Sequence, residues 1–532
     1  MDTESLAAHE RLLADVDDHP YSIPARLALA RGYAALGYPD LAAGEAYMAL
    51  LLTDEATDES GEYHDEVLEA AAVDGGGDTP ESVSAWIAET ISLDVYALLT
   101  TSLLACSNLK SVHKYTALGL AAHPSDPTLT SLAETIHTRA AAHLRRRGLD
   151  PEKYTAADYP DRGLVRRELY PWNAHEPDRF SPPSLALMNA QMTAVAPALE
   201  VRAVRLPVLA AGGTGEVTQL GVFARRDLAP GEEVFSELSL LTAALPLADA
   251  LCDACSKRFP PLEEADDVVQ CDECEVVFCS PGCRDAAWEA YHSAVCGADV
   301  DSVAKDAPRE DAPDALYSLL LLRALAMAQA RDMHPLELPE VRFIWGDFSL
   351  EGARCADEDA EAFAGRPRTL SFSFHLNVLL PLHILTKMDV NVFTTSRRFA
   401  PWVTNTLYAK FRGTASARQA PSGVPEVAAV HPLWCLANHA CDPNVAWEWE
   451  GGMKLWVRRE MVGWRRGEER RAPREAGIKE GEEVMSHYCD VFLPVKERRE
   501  WAAGALGGMC LCDRCVWEAE GEEKSEGGVN GE

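Results

Sequence analysis

Positive charge is scarce in this chain: 49 lysines and arginines face 84 aspartates and glutamates, a formal net of −35 over 532 residues. A surface of that sign repels phosphate backbones, so direct nucleic-acid binding is not expected and a basic protein partner fits better. Long hydrophobic runs are scarce as well. The longest, Leu316 to Ala330, is interrupted by Arg323 and falls short of the roughly 20 residues that span a bilayer, so no membrane is expected. The N-terminus, MDTESLAAHERLL, is acidic where a signal peptide is basic, and no apolar core follows it. The expectation is an intracellular protein, in the nucleus, the cytoplasm or both, whose 15 cysteines stay free of disulfides. With 47% hydrophobic and 25% charged residues the composition is that of a globular chain, long enough for two to four domains.

Cysteine is what the sequence has in an organised supply. Cys252-x2-Cys255, Cys271-x2-Cys274, Cys279-x3-Cys283 and His292-x3-Cys296 follow one another between residues 252 and 296. Zinc takes four such ligands in a closed tetrahedral shell, so eight imply two structural ions. A two-residue gap lets one tight turn present both thiolates, and His292 and Cys296 are one helical turn apart. Four correctly spaced pairs in succession are a specific signal, and a module this small relies on metal for most of its folding free energy. The ligand order resembles the MYND zinc finger. That resemblance implies interleaved sites, Cys252, Cys255, Cys279 and Cys283 holding one ion, Cys271, Cys274, His292 and Cys296 the other. Outside the clusters, Cys106, Cys355, Cys435 and Cys489 read as buried thiols.

From Pro24 to Leu52, small and apolar residues recur at helical period on both sides of a Gly37-Tyr38-Pro39-Asp40 break, which predicts an antiparallel helix pair. Ala30, Tyr33, Gly37, Ala42 and Ala49 resemble the small and aromatic positions of a tetratricopeptide repeat, and Val95 to Pro127 is a second candidate. The acidic stretch Asp54 to Pro80, with Gly75-Gly76-Gly77, reads as a loop. Residues 151–197, rich in Pro, Tyr and Arg, read as a linker, and strands are expected over 200–209 and from Gly221 onward. A helix is expected over Asp314 to Arg331, helical character over Phe374 to Lys387, short strands beyond Val390, a helix over Lys496 to Ala505, and a disordered acidic tail.

Three separated pieces then converge. Asn438-His439-Ala440-Cys441-Asp442-Pro443-Asn444 crowds polar side chains into one loop; Gly481-Glu482-Glu483-Val484-Met485-Ser486-His487-Tyr488 ends on a tyrosine; Cys510-x-Cys512-x2-Cys515 is one thiolate short of a zinc site, with Cys441 the available fourth. Together with GVFARRDLAPGEEVF before the finger, this order resembles a SET domain split by a MYND finger, the SMYD group of protein lysine methyltransferases, over roughly residues 198–518. The fold it implies is α+β: a β-rich SET core split by the MYND finger and a helical insert, with an N-terminal all-α tetratricopeptide-like region and a cysteine-rich post-SET segment. The corresponding boundaries are 1–150 helical, 151–197 linker, 198–251 first part of the SET domain, 252–296 finger, 297–390 insert, 391–504 SET catalytic core, 505–518 post-SET zinc segment and 519–532 disordered tail.

The resemblance implies S-adenosylmethionine and three zinc ions as cofactors. Gly221, Asn391, Asn438 and His439 would contact the methyl donor, Tyr488 would be the catalytic tyrosine, and Cys441, Cys510, Cys512 and Cys515 would hold the third zinc. The implied substrate is a lysine of a protein, histone or non-histone. The chain departs from the family at Gln219, where a glycine usually precedes Gly221 by two, and at Gly508, where an aromatic usually stands. A catalytically inactive adaptor, binding Pro-containing or other peptides through finger and helical repeats, is the alternative.

Overall fold

A computed structural model describes the chain apart from residues 1, 78, 167, 210–213, 246–250, 304–311, 347–367, 420–422, 424, 467 and 527–532. Cys355 and the end of the acidic tail therefore lie outside the described residues. Helix and sheet are mixed, and the chain divides into two compact units. The first comprises Met1–Ala174, Ala298–Val303 and Asp347–Ala409; the second comprises His175–Gly297, Ala304–Gly346 and Lys410–Glu532.

The first unit is built on antiparallel helix pairs. Ile23–Ala35 turns into Pro39–Thr57, and Ser92–Ala105 turns into Leu109–Ala122. Both turns use the same device. Gly37 (φ 79°) and Ser107 (φ 61°) take the left-handed conformation, and the next residue closes a bond back across the helix end, Tyr38 N–H to Tyr33 O and Asn108 N–H to Leu103 O. Ala30, Ala43, Ala46 and Ala49 are fully buried at the first pair, where small side chains let the helices approach closely. The anticipated loop over 54–80 is instead mostly helical, Pro39–Thr57 running on and His64–Ala71 following. The helical stretch Pro80–Ala105 is apolar and long enough to cross a membrane, and 44% of its most apolar window is buried, with Val95, Leu99 and Leu103 in the unit's core. A strand Gly163–Arg166 pairs antiparallel with Arg368–Phe372, so the expected 151–197 linker holds regular structure.

Two more expectations change here. Asn391-Val392-Phe393-Thr394-Thr395 is a turn, not a strand: the Asn391 carboxamide oxygen accepts the N–H of Phe393 at 2.9 Å, and its nitrogen donates to the Tyr21 hydroxyl at 2.9 Å. The region after it is helical over Ser396–Phe399 and Pro401–Thr414, and strands resume only at Ser416.

The second unit carries the sheets. Leu199–Pro207 and Glu216–Ala224 form a nine-pair antiparallel hairpin; Val445–Trp449, Met453–Val457 and Glu233–Glu237 form one three-stranded sheet, and Thr242–Ala244, Pro425–Ala429 and Ser416–Gln419 another. The helix Pro182–Val195, capped by Ser181 and opened by Pro182, is a second element inside the expected linker. Its Met188 and Met192 join Leu199, Val222, Phe235, Val445 and Leu455 in the core.

The apolar helix Ala312–Ala330 explains its one interrupting charge. Arg323 is 9% exposed, its guanidinium lies 3.6 Å from the centre of the Tyr291 ring, and it donates to Leu240 O at 3.2 Å and Asp253 O at 2.9 Å. It thereby clamps the cysteine-rich stretch to the unit. At the other end of the chain, Asp513–Glu526 is a helix, so the tail is ordered further than its charge suggested.

Candidate metal centres and the loop beside them

Each turn of the cysteine-rich stretch places a thiol. Ser256 N–H donates to Cys252 O and Cys252 N–H to Lys257 O, both at 2.8 Å, closing the knuckle that holds Cys252 and Cys255. Cys271 N–H donates to Val276 O at 2.8 Å, closing a second knuckle, and the short strands Val269–Gln270 and Val277–Phe278 pair around it. Ser280 caps the helix Pro281–Ala290 by accepting the N–H of Cys283, which fixes that thiol in the first turn. His292 follows the helix, 2% exposed and edge-on to Phe278.

The outcome is two groups, Cys252 with Cys255, Cys279 and Cys283, and Cys271 with Cys274, His292 and Cys296, each with ligand atoms within 4.8 Å of one another. The Cys255–Cys279, Cys279–Cys283 and Cys271–Cys296 sulfurs are 3.7, 3.6 and 3.7 Å apart, and Cys274 Sγ to His292 Nε2 is 3.4 Å. A tetrahedron with zinc–sulfur bonds of ~2.3 Å has edges of ~3.8 Å, so these groups fit zinc, and a disulfide at ~2.05 Å is excluded. The interleaving follows from the hairpin: Cys271 and Cys274 flank its tight end while Cys279 leaves its second strand toward the other group.

A third group joins distant parts of the chain. Cys441, Cys510, Cys512 and Cys515 converge within 4.8 Å, with Cys515 and Cys441 sulfurs 3.2 Å apart. The helix Asp513–Glu526 supplies Cys515, and Glu518, one turn on, is buried between Arg498 at 2.5 Å and Arg514 at 2.9 Å. Arg514 donates to Cys441 O at 2.7 Å and Val491 O at 2.8 Å, and Arg498 faces Cys515 Sγ at 3.6 Å. A zinc bound by these four thiolates would carry a net double negative charge, which the Arg498 guanidinium beside Cys515 would offset in part.

Cys489 and His439 also approach Cys441, as a second possible ligand set. Proton bookkeeping on the ring excludes His439 from it. Tyr488 N–H donates to His439 Nδ1 at 3.0 Å, so Nδ1 is the acceptor, and in the neutral ring Nε2 carries the proton. Nε2 lies 3.3 Å from Cys441 Sγ and donates to it; a metal at Nε2 would leave Nδ1 protonated against a second N–H. Burial holds this ring's pKa down at about 4, in keeping with a neutral imidazole.

The polar loop is tied to the segment 482–488 by a single parallel bridge, His439 to Ser486, with no regular strand between them. Ser486 N–H donates to Asn438 O at 2.8 Å and Ala440 N–H to Ser486 O at 2.9 Å, leaving the peptide groups of His439 facing away from that segment. On its other side the segment meets the hairpin, with Val484 N–H on Val222 O at 2.7 Å and Ala224 N–H on Glu482 O at 3.0 Å. Asn438 Nδ2 donates to Leu220 O at 2.9 Å and Glu483 Oε1 at 2.7 Å. A Cβ at Gly221 would stand 2.5 Å from Glu483 Oε1 and 3.2 Å from Asn438 Nδ2, so a larger residue here would displace the Glu483 carboxylate from Asn438. Tyr488 donates its hydroxyl to Ala437 O at 2.9 Å, and burial pushes its pKa up, which keeps the phenol protonated.

Gly221, Asn438, His439 and Tyr488 thus come together. Asn391 lies in the first unit, its carboxamide committed to its own turn and to Tyr21. Glu483 and Asn444 were not singled out. Asn444 is 1% exposed and holds both Glu483 O and Met485 N–H at 2.8 Å, and the only sequence signal for either was its place inside a motif already noted. Cys489, read as a plain buried thiol, sits against a metal group.

Among known families, residues 252–296 match the MYND finger. No curated protein matches the chain. MYND fingers are in general protein–protein interaction modules, so this stretch is a zinc-binding interaction module.

Proposed function

We propose that the chain is an S-adenosylmethionine-dependent protein lysine methyltransferase of the SET type, with the MYND finger and the N-terminal tetratricopeptide-like helices recruiting its protein partner, histone or non-histone, in the nucleus or cytoplasm. The single observation that carries the reading is the convergence of Gly221, Asn438, His439 and Tyr488 on one locus, from three separated stretches of sequence. The bare backbone at Gly221 and the outward peptide groups of His439 suit a flat polar ligand approaching the main chain. This revises the role of His439, whose ring nitrogens are both engaged: its contact with the methyl donor runs through the peptide.

When bound, S-adenosylmethionine supplies a methyl group already activated on a sulfonium sulfur. The protein's work is to hold a neutral amine in line and exclude water. Lysine, with a pKa of ~10.4, is protonated in water at neutral pH, and a dry channel favours the neutral form. Tyr488, protonated and donating to Ala437 O, keeps its oxygen lone pairs for the incoming amine or for the positively polarised methyl group. It positions and does not titrate. Asn391, its carboxamide committed to its own turn and to Tyr21, has no part in this proposal.

Calorimetric titration with S-adenosylmethionine on zinc-replete protein tests the reading. Binding in the wild type and its loss in Asn438→Ala is the expected result; Tyr488→Phe is expected to bind the donor normally while losing most methyl transfer. Absence of binding in a folded, zinc-replete chain would overturn the enzyme reading in favour of a peptide-binding adaptor built on the finger.

A further inference from the structure

Basic residues are scarce in this acidic chain, yet five arginines fall between Arg465 and Arg474. The strands Trp464–Arg466 and Glu469–Arg471 pair antiparallel, with Trp464 opposite Arg471, Arg465 opposite Arg470 and Arg466 opposite Glu469. Alternation puts Trp464, Arg466, Glu469 and Arg471 on one face of this hairpin and Arg465 and Arg470 on the other. The first face is fully used. Trp517 of the helix Asp513–Glu526 packs 6.1 Å from the Trp464 ring, and the Arg466 and Arg471 guanidiniums lie 4.6 and 4.5 Å from its centre. Arg466 also pairs with Glu469 at 2.7 Å and Glu520 at 3.0 Å, and the backbone N–H of Arg465 donates to the buried Glu518 carboxylate at 2.9 Å, which fixes the hairpin on that helix. Arg474, the fifth, bridges Asp442 and Glu482, each at 3.3 Å.

Nothing in the fold uses the second face. Arg465 and Arg470 are both exposed, and among the described residues neither guanidinium has a hydrogen bond, an ion pair or a ring to stack on. Directly opposite residues of an antiparallel pair have Cβ atoms about 4.5–5.5 Å apart, and like charges there destabilise the pairing. A two-stranded hairpin is marginal to begin with, so this repulsion weakens it further and no group inside the chain offsets it.

We propose that Arg465 and Arg470 form an anchor for a phosphorylated side chain of a partner protein. A phosphoryl group on a side chain carries a charge of about −1.5 to −2 at neutral pH and three acceptor oxygens, so one such group takes N–H donors from both guanidinium forks and cancels the repulsion between them. A carboxylate, with one charge and two oxygens, serves a single fork. Nucleic acid fits less well, because it needs a track of cations, and this face offers two in a chain of net −35. The Trp517 backing and the Glu518 bond hold both strands in place before a ligand arrives, which lowers the ordering cost of binding. The anchor lies in the second unit, with the finger, and stands without the methyl-transfer reading.

The test uses the full-length, zinc-loaded chain and three matched pools of degenerate peptides. Their fixed central position holds a phosphorylated residue (phosphoserine, phosphothreonine or phosphotyrosine), its unphosphorylated counterpart, or glutamate. In physiological salt the wild type is expected to retain the phosphorylated pool at least about tenfold better than either of the others, and Arg465→Gln/Arg470→Gln to lose that preference. Arg465→Lys/Arg470→Lys, which keeps both charges and removes both forks, should lose most of it. Taking like charges from an exposed cross-strand pair should leave the denaturant midpoint unchanged or slightly raised, so that lost binding is not lost fold. Failure of the wild type to prefer the phosphorylated pool, survival of the preference in the glutamine double variant, or a lowered midpoint in that variant would each overturn the proposal. So would a tighter hold on a single-stranded oligonucleotide that the same variant abolishes. None of these readouts involves the methyl donor, so the anchor and the methyltransferase reading fail separately.

Discussion

The finger and the C-terminal cysteine group collect metal ligands in opposite ways. The finger draws all eight from residues 252–296, while the other group joins Cys441 to Cys510, Cys512 and Cys515, some seventy residues on. Closing the short loops of the finger costs little entropy, so metal binding and folding are one event. At the distant group the sheets must first bring Cys441 to the helix Asp513–Glu526, so zinc there is expected to clamp a fold and not to create it. Identical chemistry serves construction in one region and clamping in the other.

The largest test of this contrast removes a ligand from each. Cys279→Ser should drop metal content by two ions per chain, because the hairpin that carries Cys279 also carries Cys271 and Cys274; Cys515→Ser should drop it by one. Loss of a single ion in Cys279→Ser, by elemental analysis, would show that the finger sites load independently. Next in size is Glu518→Ala, which strands Arg498 and Arg514 in the interior. Breaking a buried pair by removing one partner costs about 3–5 kcal/mol, so denaturant melting should weaken by that amount while the finger keeps its zinc.

Acid sharpens the comparison further. His431 is 2% exposed between Trp434 and Trp449, and burial holds its pKa down at about 4. Its native form binds fewer protons than the unfolded form between about pH 6.5 and 4, so its contribution is complete above that window and is lost as pH falls through it, by roughly 3 kcal/mol. Stability of the second unit measured across this range should fall, and His431→Phe should flatten the slope. The smallest effect expected is in the finger, where buried Ser256 holds a left-handed φ of 58° beside Cys255. Ser256→Gly relieves up to about 1 kcal/mol of strain and should slow zinc loss slightly; faster loss would show that the Ser256 side chain matters more than its backbone.

Legibility in the sequence followed the same division. The finger could be read outright because local spacing is the whole of its geometry. Valence asked for one thiolate beyond the C-terminal triplet, and the resemblance of the Asn438–Asn444 loop to a known motif pointed to Cys441; the first helix pair was legible from its Gly37 turn. Asn391 was misplaced because apolar and β-branched neighbours mimic a strand, whereas its carboxamide makes a turn that only tertiary context selects. The helix Pro182–Val195 hid in a proline-rich stretch although Ser181 and Pro182 mark its start. The tail looked too charged to order, and what orders it is Glu518, a carboxylate matched by Arg514 one turn back in its own helix and by Arg498 from outside it.

Arg323 has a meaning before the chain is folded. Until the helix Ala312–Ala330 docks, it is an apolar stretch whose one mid-helix guanidinium lacks the Tyr291 ring and the Asp253 carbonyl. A mid-helix arginine raises the free energy of insertion by the translocation machinery by about 2.5–3.5 kcal/mol. The side chain that later clamps the finger to its unit therefore also lowers the tendency of the undocked helix to enter a bilayer.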